Sequence, residues 1–485
     1  MILNRLIENI NALQVVGDLY NEVSSLEFDS RKVVQGSAFV AQRGVHVDGH
    51  KFIGAALENG ASVIFCEELP TGLSEKVTYV KIADSNQVLG ELAAAFYDYP
   101  SGKIKVVGVT GTNGKTSIAT LLHRLFRWQG YNVGLISTIS YKINEREETA
   151  SHTTPDALKI QKLLAEMADA GCEYCFMEVS SHAAHQKRIA GIDYAGAIFT
   201  NITHDHLDYH HTFAEYIKAK KLFFDGLKSD AFAITNLDDK NGLVMIQNTK
   251  AQKYTYSNRS MADFRCKVLE SHFDGMLLNL DGQEIWTRFV GLFNASNLLA
   301  VYATAVLLGQ NKEEVLAHMS KLQPVQGRFE TIRSLDGKYA IVDYAHTPDA
   351  LKNVLGAIAE IRTRNEQVIT VVGAGGDRDK TKRPEMAREA LLASDKVILT
   401  SDNPRTENPE QIIRDMEAGV EPQYKNKVVS IENRREAIKT AALLAQPGDI
   451  ILIAGKGHEN YQEVNGVKHH FDDREEIKKC FGLDD

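Results

Sequence analysis

Cysteine is scarce in this chain: five in 485 residues, at Cys66, Cys172, Cys175, Cys266 and Cys480. That is too few and too scattered for a disulfide framework, and it reads as reduced cytosolic thiols. Proline occurs ten times and tryptophan twice, which excludes a collagen-like fibre. No run approaches the ~18 apolar residues that a membrane-spanning helix needs. The first residues, Met1-Ile2-Leu3-Asn4-Arg5-Leu6-Ile7-Glu8, carry charges inside an amphipathic pattern and lack the unbroken apolar core of a signal peptide. Positive charge is not in excess either, since 55 Lys and Arg face 64 Asp and Glu for a formal net charge of -9. A nucleic-acid binder normally presents a basic face, so polyanionic substrates would have to meet local positive charge. The chain is expected to be soluble and cytoplasmic, with no nucleic-acid partner and no membrane insertion.

Apolar residues make up 44% and charged residues 25%, enough for real cores and a solvated surface, which excludes a disordered chain. At roughly 100–200 residues per domain the length suggests about three domains. Residues 1–101 mix short β-rich runs (37–41, 62–66, 78–82) with helical stretches and end at Tyr99-Pro100-Ser101-Gly102, a turn signal. A central block, 102–333, opens with an apolar strand over 104–109 and ends before Ser334-Leu335-Asp336-Gly337. In the last block, 334–485, strand-like runs at 339–343, 368–372, 396–400, 427–431 and 449–454 alternate with helical stretches. One of these, 348–361, places Leu351, Val354, Leu355 and Ile358 at helical spacing. The alternation predicts a parallel sheet covered on both faces, with ligands at the carboxyl ends of its strands. The overall expectation is an α/β chain of three domains.

Gly108-Val109-Thr110-Gly111-Thr112-Asn113-Gly114-Lys115-Thr116 follows the apolar strand and opens a helix with a stripe of Ile118, Leu121, Leu122, Leu125 and Phe126. Glycines let backbone N–H groups turn toward phosphate oxygens, and the helix start adds partial positive charge. Lys115 would reach the terminal phosphates and the Thr116 hydroxyl would ligate magnesium. The common phosphate-loop pattern has glycine where this chain has Val109, so the loop is a variant. An ordinary glycine-rich turn is the plain alternative, and Gly-Lys-Thr in this context favours nucleotide binding.

Two downstream segments are rich in potential ligands: Met177-Glu178-Val179-Ser180-Ser181-His182 and Thr200-Asn201-Ile202-Thr203-His204-Asp205-His206-Leu207-Asp208-Tyr209-His210-His211. His204, His206 and Asp208 fall on the spacing of a dinuclear zinc hydrolase, although Tyr209 stands where that motif has histidine. A solvated polar loop is also possible. Magnesium beside the nucleotide is favoured, because a hard cation needs a carboxylate such as Glu178. Cys172 and Cys175 form a C-x-x-C inside an apolar run without a second pair, and read as core packing.

With these motifs in place, the sequence closely resembles the Mur ligase family of bacterial cell-wall synthesis over essentially its whole length. The resemblance rests on Thr110–Thr116, Glu178–His182, Asn201 with Asp205-His206, Gly291-Leu292-Phe293-Asn294 with Asn297, and Pro324-Val325-Gln326-Gly327-Arg328. Asp343-Tyr344-Ala345-His346-Thr347-Pro348-Asp349 and Gly455-Lys456-Gly457-His458-Glu459 narrow it to the branch that adds the third amino acid of the peptide. Asp402-Asn403-Pro404-Arg405 resembles the form taking meso-diaminopimelate rather than lysine.

The resemblance implies an N-terminal mixed α/β domain recognising a UDP-sugar, a central P-loop ATPase-like domain and a C-terminal Rossmann-like domain binding the amino acid. It implies ATP contacts from Gly111, Thr112, Asn113, Gly114, Lys115, Thr116 and Ser117, with Asn297, Arg328 and Asp343. Thr116, Glu178 and His206 would hold Mg2+, and Lys220 matches a carbamylated lysine whose new anion orients the second metal. Lys115, Lys220, Arg328 and His346 are the implied catalytic set. The UDP-N-acetylmuramoyl-L-alanyl-D-glutamate precursor would meet Phe28, Ser30, Val45, His46 and Val47 at its UDP end. Its sugar–peptide part would meet His152, Thr153, Thr154, Ser180, Gln186 and Arg188. Diaminopimelate would meet Arg378, Asp402, Asn403, Pro404, Arg405, Gly455 and Glu459. Two positions depart from the family: His152, often asparagine, and Ala374, often cysteine.

The implied chemistry is a two-step ligation on small-molecule substrates by a monomer. The D-glutamate γ-carboxylate attacks the ATP γ-phosphate, then the diaminopimelate amine attacks the acyl phosphate. Phosphoryl transfer is mostly positioning and charge neutralisation, which suits Lys115, Arg328 and magnesium. The Arg405 guanidinium would grip the distal carboxylate that lysine lacks. A zinc hydrolase, a folylpolyglutamate-type ligase and a non-catalytic nucleotide-binding regulator are the alternatives.

Overall fold

A computed structural model describes residues 1–44, 47–363 and 365–483. Val45 and His46, expected at the UDP end of the precursor, lie outside the described residues.

Among the described residues three large sheets follow one another along the chain, with a fourth of two strands near its end. In the first, Gln14–Val16, Thr78–Lys81, Val63–Cys66, Ser37–Val40 and Ser25–Glu27 lie side by side. All neighbours are parallel except Gln14–Val16, which runs antiparallel to Thr78–Lys81. Val63–Cys66 is buried along its whole length, as expected of a strand covered on both faces. The helix Ser85–Phe96 closes this unit, started by the Asp84 carboxylate accepting from the Asn86 and Gln87 amides. It approaches the next unit so closely that a Cβ on Gly90 would lie 2.5 Å from the Ala190 carbonyl oxygen.

The central sheet has eleven strands. Lys105–Thr110 sits inside it, parallel to Tyr174–Glu178 on one side and Tyr194–Phe199 on the other. The predicted stripe Ile118, Leu121, Leu122, Leu125 and Phe126 of the helix Lys115–Trp128 is fully buried. The sheet is extended by antiparallel pieces absent from the sequence reading. Ser140–Ile143 and Arg146–Thr149 form one edge, and Phe264–His272, Gly275–Leu280 and Gln283–Thr287 form the other.

The third sheet runs Glu330–Arg333, Tyr339–Asp343, Ile450–Ala454, Val368–Ala374, Lys396–Ser401, Val428–Ser430. The last five strands are parallel. Helices Pro348–Ile361, Lys382–Ala393 and Pro409–Glu417 cover one face, and Arg434–Leu444 with Asp473–Cys480 the other. The first strand is antiparallel to the second. The Ser334–Gly337 turn is therefore a hairpin inside this sheet, closed by the Ser334 amide donating to the Lys338 carbonyl at 2.9 Å. A second hairpin, Tyr461–Val464 with Val467–His470, turns at Asn465-Gly466, both at positive φ. Among the described residues no helix is long and apolar enough to cross a membrane. All five cysteines are free and four are buried. Burial pushes the Cys172 thiol up to about 11 and Cys175 higher still, in keeping with core packing.

Candidate functional site

The strand Lys105–Thr110 delivers the glycine-rich loop into a cleft of 870 Å3. Gly111 has no room for a side chain: at φ +153° a Cβ would lie 1.8 Å from Thr200 Oγ1. Gly114, at φ +89°, faces Asn297 Oδ1 at a Cβ distance of 2.6 Å. Gly108 serves packing instead, since a Cβ there would strike the Phe223 ring. The loop is propped from behind by residues 200–203. Thr200 Oγ1 donates to the Asn113 carbonyl at 2.6 Å, and Asn201 Oδ1 accepts from the Asn113 amide at 2.9 Å. Lys115 Nζ donates to the Gly111 and Thr112 carbonyls, both at 2.8 Å. Burial lowers its pKa, opposed by Glu178 and Asp205. Thr112, Asn113, Gly114, Lys115, Thr116 and Ser117 all line the cleft.

Lys220, from the helix Phe213–Asp225, enters the same cleft almost fully buried. Its Nζ donates to the Gly111 carbonyl at 2.7 Å and lies 4.8 Å from the Tyr216 ring centroid. Burial, and then the Lys115 charge, hold its pKa well below the ordinary lysine value. The neighbouring Lys218 points to Glu215 and Lys221 to Asp225. Of the three lysines in this stretch, Lys220 is the one lining the cleft.

Glu178 ends the strand Tyr174–Glu178 with no exposed surface, and its carboxylate accepts from the Thr138 amide at 2.7 Å and hydroxyl at 3.1 Å. Among the described residues no Lys, Arg or His pairs with it within 4.0 Å. A buried carboxylate without a counter-ion, lining the same cleft as Thr116, fits a hard cation. His206 lies 3.4 Å from Asp205, and burial brings its pKa down to about 3. Among the described residues no three His, Cys, Asp or Glu side chains stand close enough to hold a metal by themselves. The zinc-hydrolase triad is not assembled, since His204 faces Asp379 at 3.6 Å and the Tyr209 hydroxyl meets His185 and Gln186.

On the next wall, His152, Thr153, Thr154, Ser180 and Arg188 line the cleft. Thr154 Oγ1 donates to the Glu178 carbonyl at 2.7 Å and accepts from the Ser180 amide. Ser180 Oγ caps the helix Ser181–His185. Gln186 stands behind this wall, holding the Arg188 guanidinium. Phe28, Ser30 and Val47 are not brought to the cleft. They belong to the N-terminal unit, where Phe28 packs on the core, Ser30 is buried and Val47 is exposed.

The central unit adds Asn297, and the C-terminal wall contributes Arg328, Asp343, His346 and Arg378. Arg328 Nη2 donates to Thr116 Oγ1 at 3.3 Å, and its guanidinium carbon lies 4.4 Å from the centroid of Tyr344. The approach is permitted by Gly327 at φ +64°, where a Cβ would collide with the Gly457–His458 backbone. Burial raises Asp343 to about 6 and lowers His346 to about 4.

The remaining residues expected at the amino acid form a second cluster that does not line this cleft. Asn403 Nδ2 donates to Glu459 Oε2 at 2.7 Å. Lys456, fully buried, donates to Asn403 Oδ1 at 3.1 Å and Glu459 Oε2 at 3.3 Å, with Asp402 4.0 Å away. Burial and then Asp402 raise the Glu459 pKa. Gly455 leaves room for Asp402, since a Cβ would lie 2.5 Å from Oδ2. Pro404 presses its carbonyl against Gly376. Arg405, at φ +52°, is pinned by backbone bonds to Glu463 and Asn465, while its Nη1 donates to the Gly376 carbonyl at 2.7 Å. Lys456 and Tyr344 lie inside the Gly455–Glu459 and Asp343–Asp349 motifs, whose sequence assigns neither of them a role. Thr138 belongs to no motif, and Tyr209 stands in the His-rich segment only as the position that breaks the zinc-hydrolase spacing.

Residues 22–97 match the Mur ligase family catalytic domain, 109–305 the Mur ligase middle domain, and 327–457 the Mur ligase glutamate ligase domain. The chain is 56% identical over 483 residues to the UDP-N-acetylmuramoyl-L-alanyl-D-glutamate–2,6-diaminopimelate ligase of Bacteroides fragilis, covering 100% of both chains. A solved structure of a ligase with that same description aligns with a TM-score of 0.70 at 36% identity, covering 98% of each chain. A MurF ligase from Thermotoga maritima in complex with ADP shares the fold, at TM-score 0.63 and 19% identity over 96% of this chain and 98% of the other.

Proposed function

The chain belongs to the Mur ligase family, and from that premise we propose that it joins meso-diaminopimelate to UDP-N-acetylmuramoyl-L-alanyl-D-glutamate at the expense of ATP, in peptidoglycan precursor synthesis. The observation that carries this reading is the convergence on one cleft of Lys115 and Thr116, Glu178, Arg188 and Arg328. A phosphate loop, a buried carboxylate and two arginines from separate elements suit a nucleotide and an acidic precursor meeting there.

A carboxylate is a poor electrophile, so the acid has to be activated. The precursor's γ-carboxylate oxygen attacks the γ-phosphorus of ATP. The bond to the β-phosphate oxygen breaks, and ADP leaves with that electron pair. The neutral amine of diaminopimelate attacks the resulting acyl carbon, phosphate departs and the ammonium proton is released. Lys115 and Arg328, which line the cleft, would meet the negative charge that shifts along the phosphate chain, and Asn113, Asn297 and Asp343 would orient the nucleotide. His346, neutral at physiological pH and held through Nδ1 on the Tyr344 carbonyl at 2.8 Å, offers Nε2 as an uncharged polar contact. Thr116, Glu178 and His206 would hold magnesium, which when bound neutralises phosphate charge.

Lys220 is suited to carbamylation. A lysine kept neutral by burial and by Lys115 is a nucleophile for CO2, and the product is an anion beside Lys115 instead of a second cation. Arg405, oriented by the 461–470 hairpin, would select the distal carboxylate of diaminopimelate. Arg378 lines the cleft, and both it and Arg405 neighbour Gly375. Free cysteines suit a reducing cytoplasm, and a cleft completed within one chain suits a monomer.

Purified protein given ATP, the UDP-muramoyl dipeptide and diaminopimelate is expected to release ADP in step with tripeptide formation, with little turnover on lysine. Lysine turnover equal to diaminopimelate would overturn the amino-acid assignment. ADP release independent of the dipeptide would overturn the ligase assignment.

A further inference from the structure

Tyr209 occupies the position at which the zinc-hydrolase spacing fails, and nothing in the ligation chemistry uses it. It is half-buried and does not itself line the cleft. Its hydroxyl accepts from Gln186 Nε2 at 3.0 Å and lies 2.9 Å from His185 Nδ1. The ring lies on His182, with centroids 4.1 Å apart. Gln186 in turn accepts twice through Oε1, from Arg188 Nε at 2.9 Å and Nη2 at 2.6 Å. Arg188 Nη1 donates to the Thr154 carbonyl at 3.0 Å.

The arrangement has one consistent orientation. A guanidinium only donates, so Gln186 has to turn its oxygen to Arg188 and its amide nitrogen the other way. Tyr209 is the acceptor that takes that nitrogen. Without it Gln186 is free to rotate, and Arg188 loses a two-point hold. Three of the five guanidinium N–H groups are engaged in this way. One N–H remains on each terminal nitrogen, a pair spaced for a carboxylate or phosphate oxygen.

The backbone brings the chain of contacts together. The short helix Ser181–His185 ends with Lys187 at φ +56°, so Gln186 and Arg188 project side by side. A non-glycine residue seldom adopts that conformation, and the Lys187 side chain pairs with Asp84 of the N-terminal unit. Tyr209 arrives from the helix Leu207–His210, next to His206.

We propose that Tyr209 is a positioning residue for precursor recognition: through Gln186 it aims the Arg188 guanidinium at an anionic oxygen of the precursor. This rests on the reading that Arg188 contacts the precursor. The same contact couples the His206 segment to the precursor wall.

Tyr209→Phe keeps the ring and removes only the hydroxyl. The expected result is a rise of about five- to twentyfold in the precursor Kd and KM, the range of one lost hydrogen bond to a charged network. The kcat and the KM for ATP and diaminopimelate are expected to stay within about twofold of the parent. Gln186→Ala is expected to raise the precursor Kd at least as far, and the double variant to be no worse than Gln186→Ala alone, because both act through one path. Calorimetric binding of UDP-muramoyl dipeptide without ATP gives a readout independent of turnover, and thermal melting reports the fold. An unchanged precursor Kd in a folded Tyr209→Phe protein, or fully additive effects in the double variant, would overturn the inference. Arg188→Ala separates the two layers: a precursor Kd unmoved by that change sinks the underlying precursor reading. A Kd raised by Arg188→Ala but not by Tyr209→Phe sinks the role of Tyr209 alone.

Discussion

Lys115 and Lys220 donate to the same acceptor: both Nζ atoms reach the Gly111 carbonyl, at 2.8 and 2.7 Å. Two ammonium groups crowded on one carbonyl repel, and the strain falls on Lys220, which is the more completely buried. A neutral Lys220 is the reactive form toward CO2. Mass measurement of the intact protein, handled in bicarbonate and without acid, is expected to find one CO2 added and lost on acidification. Lys220→Ala is expected to lower kcat by at least about a hundredfold, as for removal of a charge-organising group. Activity unchanged in Lys220→Ala would remove this residue from the mechanism.

Lys115→Met tests the phosphate loop itself. The substitution keeps length and burial but removes the only loop cation, so the protein is expected to fold. Turnover should fall by roughly 10² to 10³, the loss seen when one charge-stabilising donor is removed. ADP release and circular dichroism together distinguish this from unfolding.

Arg405→Ala tests selectivity. A site that bonds a carboxylate rejects an amine lacking it by roughly 10⁴ or more, and that preference should collapse when the guanidinium is gone. The ratio of kcat/KM for diaminopimelate to that for lysine is the quantity to follow. Arg405→Lys is also expected to lose most of it, because an ammonium cannot make the two-point contact.

His123 tests a liability of the fold away from the chemistry. It is buried in the helix Lys115–Trp128, its Nε2 has no hydrogen-bond partner among the described residues, and burial brings its pKa down to about 4 from 6.5. The unfolded chain therefore binds a proton that the folded one refuses. Stability is full above pH 6.5 and falls as pH drops toward 4, by roughly 2 to 4 kcal/mol. His123→Phe is expected to flatten that part of the melting-temperature profile between pH 6.5 and 4.5. An unaltered profile would assign the acid loss to other groups.

Much of this architecture was legible because the relevant signals are local. The run 104–116 combines an apolar strand, glycines and an amphipathic helix, and each has a direct physical meaning. The strands of the last block were readable because continuous apolar runs mark sheets covered on both faces. The antiparallel additions were not read, although Asp281-Gly282 and Asn465-Gly466 are hairpin turns with both residues at positive φ. That omission matters at Arg405, whose backbone is fixed by the hairpin that Asn465-Gly466 turns. Contacts made across long separations left no pattern to read. Thr138 on Glu178, Tyr209 on Gln186 and Lys456 on Asn403 are meetings of single polar residues that the fold alone brings together.

The central claim is that ATP activates the precursor by taking an oxygen from its carboxylate onto phosphorus. Precursor labelled with heavy oxygen in the γ-carboxylate, turned over with ATP and diaminopimelate and analysed by mass spectrometry, measures that transfer. One labelled oxygen in the released phosphate for each peptide bond formed is the expected result. Phosphate free of label, with tripeptide formed in equal amount, would contradict the account.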